Sequence, residues 1–192
     1  MSNDSAIDEL LAKEQIRYQM AVYARGIDRR DEELLKQVYH EDSFDDHGYG
    51  LQASGHVFAT LVRRDGNGFP NEWTQTGHVL GQHLIEVDGD SARSEVYFNS
   101  VQISEHEGEQ IFLYAAGRYI DEWERRNDGI FRIAKRQVIY DYGRTDTVST
   151  PWPGPDPQVP KMFWGGPTID GSATAFGTGG PDDPSYRVFP QG

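Results

Sequence analysis

The sequence predicts an α+β protein: a cone-shaped, curved antiparallel sheet wrapped around about three N-terminal helices. Three observations predict it. Apolar residues recur at helical spacing through the first third of the chain. From Trp73 onward the pattern changes to four long β-rich runs parted by tight-turn signals. Nine of the ten prolines and eight of the 21 glycines fall after residue 150. That last split separates a body, residues 1–150, from a Pro/Gly-rich C-terminal extension, residues 151–192. A body of this size matches one ordinary domain and can bury a full core.

Residues 5–27 read as the first helix. Asp4 or Ser5 can cap it, and Asp8 and Glu9 suit its positive N-terminal end. Ile7, Leu10, Leu11, Tyr18, Ala21 and Val22 form its expected buried stripe, with Gly26 as terminator. "DRRDEELLKQVY" predicts a second, short helix that buries Leu34, Leu35 and Val38. "HEDSFDDHGYG" predicts a short strand and turn, and residues 54–64 a third helix starting at Ser54. A loop rich in Gly and Asn then runs to Pro70.

The four β-rich runs are "GHVLGQHLIEV", "SARSEVYFNSVQIS", "EQIFLYAAGRYIDEWERR" and "GIFRIAKRQVIYDYG". Asp88-Gly89-Asp90, "EHEGE" and Asn127-Asp128-Gly129 part them, and Gly, Asn and Asp supply the positive φ of tight hairpins. No crossover helix separates the runs, so they predict an antiparallel meander. Gly81 and Gly117 are expected points of bulge or bend. A curved sheet with helices on one side encloses a concave pocket, the default ligand site.

Composition excludes several functions. The formal net charge is -13, and the basic pairs are mostly flanked by acids, so no nucleic-acid partner is expected. The longest uninterrupted apolar run, Ile111–Ala116, is far short of a membrane span, so no membrane partner is expected either. The N-terminus lacks a basic region followed by an apolar one, which points to a cytoplasmic protein. Zero cysteines remove disulfides and thiolate chemistry. No phosphate-binding loop, GxGxxG or GxSxG motif occurs, and no cofactor is expected.

Four stretches together resemble the SnoaL-like branch of the nuclear-transport-factor-2-like superfamily: "YARGIDRRDEELL", "DSFDDHG", "GHVLGQH" and "GRYIDEWERRNDGIFRIAKRQVIYDYGR". The resemblance covers residues 5–146. It implies a cofactor-free lyase, since that branch includes dehydratases, a dehydrochlorinase, polyketide cyclases and formaldehyde-releasing lyases acting on lignin-derived diarylpropanes. An aromatic or polycyclic small molecule is the implied substrate, and a homo-oligomer, dimer or trimer, the implied assembly. Alternatives are a steroid or polyketide isomerase or cyclase, and a non-catalytic small subunit of a ring-hydroxylating dioxygenase.

The resemblance implies that Asp28 orients His78 as a catalytic base. The chemistry stands without it: a neutral imidazole takes a proton near neutral pH, and a carboxylate on its other nitrogen fixes the tautomer. A solvated helix-end Asp and a structural strand His are the plainer alternative. Tyr23 matches a cavity-lining Tyr and could donate to an oxyanion, or be a core aromatic. His47, beside Asp45 and Asp46, stands where a relative has Tyr. It could be a second acid/base group, a substrate ligand or, with the Asp residues, a metal ligand. Arg136 matches a cavity Arg that stabilises departing charge, and an ion pair is its alternative.

By alternation, Tyr140 shares Arg136's face, together with Arg132, Ala134 and Val138, whereas His78 and His83 point to opposite faces. Tyr49, Trp73, Tyr97, Tyr114 and Tyr140 are aromatic candidates for lining the pocket. Phe163 and Trp164 of the tail's "KMFWGG" join them. The tail carries seven large apolar side chains, too many for a solvated linker. It is expected to dock on the body or a neighbouring subunit and to cap the pocket.

Overall fold

The computed structural model describes residues 3–48, 51–63, 73–147 and 182–189. Three helices come first: α1 (Asn3–Arg29), α2 (Glu32–Val38) and α3 (Gly55–Val62). Between the last two lie β1 (Tyr39–Asp46) and the two-residue β2 (Gln52–Ala53). The long strands are β3 (Trp73–Asp88), β4 (Ser91–His106), β5 (Glu109–Arg125) and β6 (Phe131–Thr147). A short 3-10 turn spans Pro184–Arg187. The architecture is α+β: three helices on a curved, unclosed six-stranded sheet.

The strand order is β2-β1-β6-β5-β4-β3. The four long strands form the expected antiparallel meander, but the sheet as a whole is mixed. β1 pairs parallel to β6, Asp45 opposite Arg136, and β2 pairs antiparallel to β1. The physical reason lies at the edge of the meander. β6 has an open hydrogen-bonding side there, and the chain leaving α2 fills it in the same direction as β6.

α1 buries a different face from the expected stripe. Ile7, Leu10, Leu11 and Tyr18 are all more than half exposed, while Ala12, Ile16, Met20, Tyr23 and Ile27 are buried. The buried positions are three or four apart, the proper helical spacing. They include a small residue and sit beside the polar Gln15 and Gln19, which lowers that side's summed hydrophobicity. Gln15 has its own use here, because its Oε1 accepts the N–H of Phe131 at 2.9 Å and ties the helix to the start of β6.

Gly26 does not end α1. The helix continues to Arg29, and Arg30 adopts the left-handed φ of 54°. Asp31 N–H donates to Gly26 O at 2.8 Å and Arg30 N–H to Ile27 O at 3.1 Å, a Schellman closure with Arg in the position that usually holds Gly. The absence of a side chain at Gly26 serves packing instead: a Cβ there would lie 2.8 Å from Leu35 Cγ.

Besides the register shift at Thr74, three bulges decide which side chains of β3 and β6 face the helices. In β3, Gly81 and Gln82 together oppose one residue of β4, as Leu80 pairs with Phe98 and His83 with Val96. The inner face therefore runs Thr76, His78, Leu80 and then His83, Ile85. This corrects the alternation: His78 and His83 share a face. Their separation of more than ~10 Å along the strand still prevents a shared ion. In β6, Ala134 is the extra residue between the pairs Trp123–Ile133 and Glu122–Lys135. The inner positions thus shift from Phe131 and Ile133 to Arg136, Val138 and Tyr140, leaving Arg132 and Ala134 off that face. The third extra residue, Asp141, lies opposite the Ala116–Gly117 step. A Cβ on Gly117 would lie 1.9 Å from Ile139 O, so the close approach requires glycine.

Cross-strand pairing orders the inner face into rows. His78, Ser100, Ala115 and Gly143 form one, and Leu80, Phe98, Gly117 and Tyr140 the next. Beyond them come His83, Val96, Tyr119 and Val138, then Ile85, Ser94, Asp121 and Arg136. The far end is dry core around Trp123, whose indole N–H donates to Ser94 Oγ at 2.8 Å and so is buried with its polar group satisfied.

Candidate active site

The last turn of α1 and the first half of β3 bring Asp28 and His78 together. Asp28 Oδ1 lies 2.7 Å from His78 Nδ1, and its Oδ2 accepts the backbone N–H of His78 at 3.0 Å. One carboxylate thus holds both the ring and the chain that carries it. The side chains are 15% and 8% exposed, so bulk water competes weakly for these bonds. With Nδ1–H donated to Asp28, the neutral ring keeps its lone pair on Nε2, the arrangement a general base needs. Nε2 has no hydrogen-bond partner among the described residues.

Tyr23 lies five residues before Asp28 on the same helix, about 7.5 Å along its axis. Its hydroxyl is 3.3 Å from His47 Nε2, and His47 Nδ1 contacts Asp45 Oδ1. His47 therefore repeats the Asp–His arrangement, with a phenol on its outer nitrogen. A neutral His47 that donates Nδ1–H to Asp45 accepts the Tyr23 O–H at Nε2. Phe58 stacks on the imidazole at 4.3 Å and fixes its plane. Burial pushes the Tyr23 phenol up, against the opposing effect of Arg136, so Tyr23 stays protonated across the neutral range.

Arg136 is fully buried and its donors are committed. Nε and Nη2 bind Asp121 at 2.7 and 2.8 Å, Nη1 donates to the Tyr39 hydroxyl at 3.2 Å, and Nη2 also reaches Met20 Sδ at 3.1 Å. The rings of Tyr23 and Tyr119 lie over the guanidinium at 4.0 and 4.4 Å. The ion-pair alternative describes this Arg: it is sealed beneath two tyrosines, where it anchors the site rather than touching a leaving group. The Tyr39 hydroxyl in turn donates to Asp45 Oδ2 at 2.5 Å. One continuous chain thus runs Asp121–Arg136–Tyr39–Asp45–His47–Tyr23.

Tyr39 and Asp121 escaped the sequence reading, and Asp45 was named there as part of the polar cluster around His47 but not as the carboxylate that orients it. Asp45 had a signal, because it stands two residues before His47 on a strand and so faces the same side. Asp121 had a weaker one: it sits between Tyr119 and Trp123 at alternate, inward positions, where an acid needs a buried partner. Asp46 serves the turn instead, accepting from Gly48 N–H at 2.8 Å and Gln52 Nε2 at 3.0 Å. Among the described residues no group of three or more His, Asp or Glu is placed to hold a metal ion.

The aromatic candidates divide by face. Tyr140 is on the inner face, edge-on to Phe98 at 6.1 Å, in the row next to His78. Tyr97 and Tyr114 point outward, since Val96, Phe98, Ala115 and Gly117 hold the inward positions beside them. The Tyr114 hydroxyl donates to Asn99 Oδ1 at 2.5 Å on that outer side. Strand parity removes both from this site. Trp73 opens β3, where its carbonyl accepts from Arg30 Nη1 at 3.1 Å. Tyr49, Phe163 and Trp164 lie outside the described residues. A surface depression of about 430 Å³ beside α2, lined in part by Lys36, His40, His56 and Arg132, includes neither His78 nor His47.

Residues 8–137 match the family model of the SnoaL-like domain. The chain belongs to the SnoaL-like family. Solved structures share its fold at low identity. LinA superposes with a TM-score of 0.65 at 19% identity, over 79% of this chain and 99% of that one. The hexachlorocyclohexane dehydrochlorinase LinA-type3 from Novosphingobium barchaimii gives 0.61 at 20% identity, over 77% and 97%. A nuclear transport factor 2-like superfamily protein from Salmonella enterica gives 0.57 at 17% identity, over 75% and 97%. No curated protein matches the chain in sequence. For this SnoaL-like chain, then, the reaction has to be argued from its own side chains.

Proposed function

We propose that this SnoaL-like protein is a cofactor-independent lyase in which His78 is the general base and the Tyr23–His47 pair the general acid. The observation that carries the reading is the double grip of Asp28 on His78 Nδ1 and its backbone N–H, which leaves Nε2 as the free basic atom. Two eliminations suit this arrangement. In water loss, His78 takes a proton from carbon, a C=C bond forms, and the departing oxygen collects the Tyr23 proton. In formaldehyde loss, His78 takes the proton of a hydroxymethyl O–H. The C–C bond then breaks, its electrons form the alkene, and a hydroxyl on the adjacent carbon leaves as water. When the product leaves, His78 gives its proton to solvent and Tyr23 takes one back from solvent, so both groups return to their starting states.

The substrate we propose is an aromatic or polycyclic alcohol, with a lignin-derived diarylpropane diol as the leading member. Phe98 and Tyr119, stacked at 4.4 Å, and Tyr140 give the inner face flat aromatic surface beside His78. The family resemblance supplies the rest of the argument for the diol. The test is turnover of diarylpropane diols and polycyclic alcohols, read as released formaldehyde and as absorbance of the new conjugated alkene. His78→Ala is expected to lower kcat by about 10²–10⁴-fold, and Asp28→Asn to cause a loss of similar order while the chain stays folded. Near-wild-type turnover by His78→Ala would overturn the proposal.

A further inference from the structure

Thr76 and Gln102 face each other across β3 and β4 on the inner side of the sheet, one row from His78 and Ser100. They are 9% and 6% exposed. Thr76 Oγ1 and Gln102 Oε1 are both buried and have no hydrogen-bond partner among the described residues. Their neighbour Ser100 is satisfied, since its Oγ donates to Ala115 O at 3.3 Å. Burying one polar atom unpaired is costly, and folded proteins seldom leave such atoms without a partner. Two of them directly opposite one another, beside an Asp-oriented His, mark a place where a ligand completes the bonding.

We propose that Thr76 and Gln102 form a recognition site for a ring hydroxyl of the substrate. The chemistry of the two atoms selects that group. Gln102 Oε1 only accepts, so its partner must carry a hydrogen, while the Thr76 hydroxyl can donate to the same partner's oxygen. A hydroxyl does both at once. An ether oxygen or a halogen satisfies Thr76 alone and leaves Gln102 stranded. The row of Thr76 and Gln102 lies about 7 Å along the strands from that of His78. An aromatic ring between the two rows puts its hydroxyl at one end and the reacting carbon at the other, which makes the bound group a phenol. The inference deepens the lyase reading and rests on His78 facing the substrate.

The test uses product-like stilbenes that undergo no elimination: para-hydroxystilbene, para-methoxystilbene and para-chlorostilbene, titrated into the full chain. The wild type is expected to bind the hydroxy compound at least about tenfold more tightly than the other two. Thr76→Val and Gln102→Leu are each expected to bring that ratio toward one with little change in methoxystilbene affinity. His78→Ala should keep the ratio while losing turnover. If His78→Ala keeps both, the lyase reading fails and the hydroxyl site stands. A wild type with no preference for the hydroxy probe, through equal binding or none, overturns the site, as does a preference that survives both substitutions. A second readout needs no ligand. Atoms that await a substrate cost the free protein stability, so Thr76→Val and Gln102→Leu should leave Tm unchanged or raise it. A clear fall in Tm for both would mean structural roles and would also overturn the proposal.

Discussion

At the scale of single residues, the site contrasts two imidazoles that each lean on a carboxylate. Among the described residues nothing bonds the far nitrogen of His78, whereas His47 meets the phenol of Tyr23 there. In the proposed reaction the same pair of residue types takes two roles, an open base at His78 and, at His47, a partner that holds the Tyr23 phenol. The carboxylate on His47, Asp45, is 1% exposed. Burial works to raise it, but His47, Arg136 and the Tyr39 hydroxyl together hold it below the usual carboxylate range. The sign of the linkage follows. A carboxyl whose folded pKa lies below its unfolded value of about 3.9 contributes stability fully above that value and loses it as pH falls through the folded one. Thermal melts from about pH 6 down to about pH 2 should show Asp45→Asn less stable than the wild type at the upper end. The two curves should converge at the acid end, and a gap that stays constant with pH would refute the depressed Asp45.

At the scale of elements, the meander was readable because its turns are chemically explicit. Gly89, Gly108 and Gly129 carry φ of 60°, 83° and 75°, the conformations their motifs require. The parallel seating of β1 on β6 was not readable, because pairing across about 90 residues leaves no local pattern, and β2, two residues long and paired to the nearby β1, is too short to show an alternation. The face of α1 was misread for a related reason: which stripe is buried depends on what the sheet offers, and total hydrophobicity pointed the other way. The end of α1 carries its own prediction. Arg30 holds a left-handed φ that a non-Gly residue adopts at a cost of about 1 kcal/mol. It is kept there by its side chain, whose Nε donates to Val62 O at 3.3 Å and Nη1 to Trp73 O at 3.1 Å, linking α1 to the end of α3 and the start of β3. Arg30→Ala loses these bonds and keeps the strain, whereas Arg30→Gly loses the bonds and relieves it. Urea unfolding should therefore rank wild type above Arg30→Gly and Arg30→Gly above Arg30→Ala, with the two variants about 1 kcal/mol apart. Equal stability of the two variants would show that the backbone conformation is not maintained without the side chain.

At the scale of the whole molecule, the question is what holds the α1–α2 corner from which Asp28 reaches His78. Asp28 and His78 were legible as a pair through the family resemblance, but their setting was not, because the residues that fix it come from the far end of the chain. Residues 182–189 lie against the C-terminal end of α1. Asp183, 4% exposed, pairs with Arg29 Nε at 3.1 Å, and the Tyr186 hydroxyl donates to Asp31 Oδ2 at 3.1 Å while Asp31 Oδ1 caps α2. Arg25 lies 4.7 Å over the Tyr186 ring and donates to Phe189 O at 3.0 Å. The contact joins the last turn of α1 to the cap of α2, and Asp28 sits within that turn. Arg29→Ala removes the ion pair at 3.1 Å from the near-buried Asp183 carboxylate, a loss worth about 1.5–3 kcal/mol for a charged hydrogen bond. For a chain of this length that is a fall in Tm of roughly 3–12 °C. The same substitution should speed proteolysis at the C-terminal segment, and adding Asp183→Ala to it should cost little more, since the two residues act as one unit. Melting temperatures within a degree of wild type for both single variants would mean that this docking does not hold the corner.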